Sequence, residues 1–130
     1  MEITVSQAEG PKPITIMQVH GNIDSSSFEV FQKRAEELIH GGVHDLIIDL
    51  EHVPHMSSAG LRALNQIYNQ LRGEKEDQQS VSKGVTSGAY KAPHLKLLAP
   101  SSRVAQTLKM SGFDMFLEIH PNLKSALASF

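Results

Sequence analysis

The chain has 130 residues, 40% of them hydrophobic and 20% charged, with a net charge of −2 and an isoelectric point near 6.4. It is long enough to bury a core without metals or disulfides, and it lacks the basic footprint expected of a nucleic-acid binder or the polybasic stretch expected at an anionic membrane. With no cysteine, disulfides, thiolate metal sites and thiol catalysis are excluded.

The first run, Met1 to Gln7, alternates apolar Ile3 and Val5 with polar Thr4 and Ser6, the pattern of a half-buried strand. Gly10, Pro11 and Pro13 punctuate a turn. A second alternating run passes through Ile14, Ile16 and Val19, so the two predict a β-hairpin. After Gly21 and Asn22 the period lengthens. Phe28, Phe31, Ala35, Leu38 and Ile39 share one helical face. Asp24 to Ser27 supply N-cap candidates, and Gly41 and Gly42 the stop. Leu46, Ile47, Ile48 and Leu50 form a dense run that predicts a central strand buried on both faces. A loop follows. From Ser57, the spacing of Leu61, Leu64, Ile67, Tyr68 and Leu71 predicts a second amphipathic helix.

Residues 73–93 are polar and carry few large apolar groups. They predict a long mobile insertion, because burial there cannot offset the entropy of ordering. Its functional version is an arm that orders on a partner. Then come a buried strand in the run His94 to Pro100, and a helix capped by Ser101 or Ser102 and stopped by Gly112. A short edge strand over 116–120 and a last helix with Pro121 in its first turn complete the chain. The order β-β-α-β-α-β-α-β-α implies one α/β domain over 1–130. Its mixed sheet carries about four helices, packed mainly on one face.

Chemistry concentrates at Val53–Leu64, where a strand, a loop and a helix start meet around Ser57 and Ser58. Capping is one role, since the first amides of a helix have no internal partner, and Gly60 would allow close packing there. A hydrolase elbow is disfavoured: it needs glycine two places before the serine, and Met56 or His55 stands there instead. His52 and His55 lie three apart, but in a proline-containing loop with no further ligand suggested, so no metal is expected. Asp49 ends the central strand and could bond loop amides near the serine turn or be solvated. No phosphate-binding glycine motif follows a strand, so no cofactor is expected.

Three motifs in order carry a resemblance. Gly21 to Asp24 reads Gly-x-Ile-Asp, Leu46 to Leu50 reads Leu-x-x-Asp-Leu, and Ser58 to Leu61 reads Ser-x-Gly-Leu. With the tail from Leu95 to Leu127, they resemble the STAS domains, named for sulfate transporters and anti-sigma factor antagonists. The resemblance spans nearly all of the chain except the stretch after Arg72. It implies a non-enzymatic anti-sigma factor antagonist in the bacterial cytoplasm. Ser58 would be the residue phosphorylated by an anti-sigma factor with serine kinase activity. Only the unphosphorylated form would bind that partner and so release a sigma factor. Asp24, Ser25, Ser57, Ser58, Gly60 and Leu61 would form the partner-binding face. Ser57 stands where the family often has Asp. Two other roles are open: an adaptor subunit of a signalling scaffold or lipid-transport complex, and a module sensing a nucleotide or small anion. No secretory leader or membrane span is expected from the sequence.

Overall fold

A computed structural model of the chain describes residues 1–9, 12–75 and 91–130. Two alternating runs form the predicted hairpin, β1 (Glu2–Glu9) against β2 (Pro13–His20), antiparallel and in unbroken register from Glu2 opposite His20 to Glu9 opposite Pro13. Helix α1 (Phe28–His40) returns the chain to β3 (Leu46–His52), which lies parallel to β2. Helix α2 (Ser58–Lys75) precedes β4 (Leu95–Leu98), parallel to β3. Then follow α3 (Ser102–Met110), a 3-10 turn (Phe113–Met115), β5 (Glu118–His120) and α4 (Leu123–Ala128). The strands stand in the order β1-β2-β3-β4-β5 in one mixed five-stranded sheet. Among the described residues no helix is long and apolar enough to cross a membrane.

Burial divides the sheet by strand parity. Met17, Val19, Leu46, Ile48, Leu50, Leu95 and Leu97 face a large core shared with Phe31, Ala35 and Ile39 of α1, Leu64, Ile67 and Leu71 of α2, and Val104 and Leu108 of α3. The alternate residues Ile14, Ile16, Ile47 and Leu98 face a smaller cluster closed by Ala126 of α4. Among the described residues, three helices therefore cover one face, and the short C-terminal helix lies on the other. The β3 expectation holds in full: every residue from Leu46 to Leu50 is buried.

Some helix ends fall on the expected candidates and others differ. Ser27 is the N-cap residue of α1, but its side chain makes no capping bond. Asn122, whose side chain accepts from the Ser125 amide, caps α4, so Pro121 lies before the helix rather than in its first turn. Ser101, not Ser102, caps α3 by accepting from the Val104 amide. Gly112, at φ +80°, makes the left-handed exit expected after that helix. Helix α2 continues to Lys75, beyond the expected end at Arg72. Residues 76–90 of the expected 73–93 insertion lie outside the described residues, whereas Ala92 is buried in the main core with its amide bonded to Phe116 O, so the insertion ends earlier than expected.

The most deeply buried charge among the described residues is a lysine of β4. Lys96 is 2% exposed, and its ammonium donates to Glu118 Oε2 at 2.5 Å and lies 5.4 Å from the centre of the Phe130 ring. Burial pushes the Glu118 carboxyl up, but the hydrogen bond and charge of Lys96, helped by His120, outweigh it and hold the pKa below the usual value.

Candidate functional site

The site lies where β2 and β3 end side by side. Past the strands their two loops stay tied by backbone bonds. The Gly21 amide donates to His52 O, the Ile23 amide to His55 O, both at 3.0 Å, and the Ser57 amide to Ile23 O at 2.9 Å. Ile23 and Met56 form an isolated parallel bridge, and both are buried. Gly21, at φ +113°, supplies the turn that lets the first loop leave the sheet.

Gly60 is required by this crossing. A Cβ there would stand 2.8 Å from the Ile23 carbonyl oxygen, 2.8 Å from Met56 Cγ and 2.9 Å from Ile23 Cγ2. The first turn of α2 thus presses directly onto the β2–α1 loop, the close packing expected of Gly60.

The two serines have different surroundings. Ser57 is half-buried. Its carbonyl accepts the Leu61 amide at 2.9 Å and its hydroxyl accepts the Gly60 amide at 3.4 Å, so it occupies the capping position. Ser58 is the first residue of α2 and is exposed. Leu61 is half-buried against the main core.

Asp24 is ordered by its own turn. Its Oδ1 accepts the Ser26 hydroxyl at 2.6 Å and the Ser26 amide at 3.0 Å. The Ser27 hydroxyl accepts the Asp24 amide at 3.0 Å and donates to Asn22 O at 2.7 Å. The bonds to its carboxylate, from the Ser26 hydroxyl first, then the Ser26 amide and the Ser27 hydroxyl, favour the ionised form and hold the Asp24 pKa below its ordinary value. Ser25 is exposed beside it. Since Ile23 bonds to Ser57, the chain neighbours Asp24 and Ser58 leave the same bridge. The structure thus brings the two expected segments, 24–25 and 57–61, together.

Asp49 is not part of this cluster. It is 6% exposed and accepts Gln18 Nε2 on Oδ2 and the Glu51 amide on Oδ1, both at 3.0 Å, so its bonds go to β2 and β3 rather than to the serine turn. It lines an open groove of about 540 Å³ with Thr4, Ser6, Gln18 and Glu51 on the α4 side of the sheet. His52 stacks on His20 with ring centres 4.6 Å apart and planes within 8°. This pair escapes sequence reading, because only the β2–β3 register sets the two rings opposite each other. His55 has a buried Nδ1 without a hydrogen bond among the described residues. Among those residues no group of three or more His, Asp or Glu is placed to hold a metal ion.

A family profile for the STAS domain matches residues 6–76, which contain both site loops. The chain belongs to the STAS domain family. Solved structures agree on the STAS fold. An anti-sigma factor antagonist from Mycobacterium paratuberculosis superposes with a TM-score of 0.69 at 21% identity, covering 97% of this chain and 92% of that one. The Bacillus cell-fate determinant SpoIIAA in its phosphorylated form gives 0.62 at 14%, covering 97% and 96%. A Thermotoga maritima protein, described as a candidate anti-sigma factor antagonist, gives 0.72 at 15%, covering 96% and 91%. Among curated proteins, no sequence match reaches significance.

Proposed function

We propose that residues 1–130 act as one STAS unit and as an anti-sigma factor antagonist. In this reading the face formed by Asp24, Ser25, Ser57, Ser58, Gly60 and Leu61 docks an anti-sigma factor that is also a serine kinase. Docking frees a sigma factor, and transfer of the ATP γ-phosphoryl group to Ser58 Oγ, with loss of the hydroxyl proton, ends the docking. The protein contributes an acceptor hydroxyl and a surface. ATP and the catalytic groups belong to the kinase, and the setting is the bacterial cytoplasm.

The observation that carries this reading is the division of labour between two adjacent serines. Ser57 occupies the capping position, whereas the Ser58 hydroxyl is exposed and makes no hydrogen bond to the described residues. Modifying Ser58 therefore breaks no bond of the fold. The α2 start also suits a phosphate, because a helix N-terminus favours negative charge and its first turn holds no acidic residue. Family membership and the antagonist neighbours support the same role.

The test is incubation with the cognate kinase and ATP, followed by phosphopeptide mapping and binding measurements on Ser58→Ala and Ser58→Asp. Phosphate should appear on wild type and not on Ser58→Ala. Ser58→Ala should still bind, and Ser58→Asp should bind at least about tenfold more weakly, a loss of about 1.4 kcal/mol. Equal affinity of Ser58→Asp and wild type would refute the switch.

A further inference from the structure

The two edges of the sheet are unlike. The β5 edge is three residues long, and short edges are self-limiting. The β1 edge is eight residues long, and no described strand pairs with its outer side. Among the described residues, its only blunting devices are the two terminal charges, Glu2 and Glu9. Its register with β2 is continuous, without a bulge, and Glu2–Glu9 contains neither proline nor lysine. Half of its backbone donors and acceptors therefore point outward in an unbroken row.

We propose that β1 is a strand-addition site for an extended segment of a partner protein that carries basic residues at its two ends. Charge selects the occupant. The strand is bounded by exposed Glu2 and Glu9, with uncharged residues between. In the full antiparallel overlap a second copy of this chain would set Glu2 against Glu9 at both ends. Like charges directly opposite destabilise a pair, and opposite charges stabilise it. Self-pairing is thus opposed where a Lys- or Arg-ended strand is favoured. The Asp49 and Glu51 carboxylates, lining the groove beside Thr4 and Ser6, add a field of the same sign. Main-chain bonds supply affinity in this mode, and side chains supply selection.

The test uses the full chain, labelled for amide hydrogen exchange, with two eight-residue peptides of alternating valine and threonine. One ends in lysine at both termini and the other in glutamate. The lysine-ended peptide should slow exchange at alternate β1 amides, and the glutamate-ended peptide should bind about tenfold more weakly. Glu2→Lys with Glu9→Lys should reverse that preference, and Glu9→Lys alone should reduce it should the pair fail to fold. The proposal is overturned if neither peptide protects β1 at millimolar concentration. A preference that the variants leave unchanged would also overturn it, as would concentration-dependent dimerisation that protects the same amides without peptide.

Discussion

Replacing Gly60 by alanine tests whether the two site loops are held by direct contact. The substitution adds one methyl group to the first turn of α2, where alanine is the better helix former by at most about 1 kcal/mol. Against that gain stands the crowding. The new Cβ would lie 2.8 Å from the Ile23 carbonyl oxygen and from Met56 Cγ, and 2.9 Å from Ile23 Cγ2. Met56 and Ile23 are buried and have little room to turn. The carbonyl cannot turn away without weakening the 2.9 Å bond it accepts from the Ser57 amide. Overpacking of this kind costs about 1–3 kcal/mol. The net expectation is a loss of about 1–2 kcal/mol, which for a domain of this size is a fall in Tm of about 4–8 °C. Urea and thermal unfolding measure it, and amide exchange at Ile23 and Ser57 locates it. If Gly60→Ala were as stable as wild type with both amides still protected, the loops would not be coupled as described.

Glu118→Gln strands the Lys96 ammonium, which is 2% exposed. Breaking a buried pair costs about 3–5 kcal/mol, and the partial exposure of Glu118 places the expected loss near about 3 kcal/mol by urea unfolding. Adding Lys96→Met should recover part of it, and a double variant less stable than Glu118→Gln would contradict this account. Asp24 has a pH signature. Its folded pKa is depressed from the ordinary 3.8, so its contribution is present above that value and lost as pH falls through the lower folded pKa. Asp24→Asn should therefore lower Tm more at pH 6 than at pH 3, as followed by circular dichroism.

Elements whose periodicity is local were legible in the sequence. The α1 stripe, the β3 run and the glycine stops all follow from spacing within one segment. So was the Gly60 approach, because a glycine just inside a helix start has few other uses. What escaped depends on pairing across elements. Asp49 bonds Gln18 because β2 and β3 align Gln18 with Asp49. His20 meets His52 for the same reason. Lys96 reads as a polar residue in an apolar strand until β5 supplies Glu118 beside it. The opposite placement of α4 is set by which side the chain takes after β5. The N-cap of α1 falls within the expected Asp24–Ser27 stretch, but its side-chain capping bond is missing for a local reason: the Ser27 hydroxyl is engaged by the Asp24 amide and by Asn22 O.

The proposed switch also constrains what faces Ser58. The loops around it are fixed by three backbone bonds and a buried bridge, and a phosphate at a helix N-terminus is compatible with the helix. Modification should therefore act at the contact rather than by refolding. Asp24 is already held ionised, and a phosphate adds about −1.5 to −2 charges to the same face. A partner presenting an unpaired cation opposite Ser58 would then bind the modified form more tightly, the reverse of release. Release requires an acidic or a closely packed apolar surface there, and salt separates the two. The Debye length shrinks from about 8 Å at 0.15 M to about 3 Å at 1 M. If repulsion operates, the affinity gap between wild type and Ser58→Asp should narrow over that range. If packing operates, Ser58→Asp and the larger, uncharged Ser58→Gln should lose affinity alike at every salt concentration. A gap that widens with salt would contradict both, because screening weakens repulsion and leaves steric exclusion unchanged.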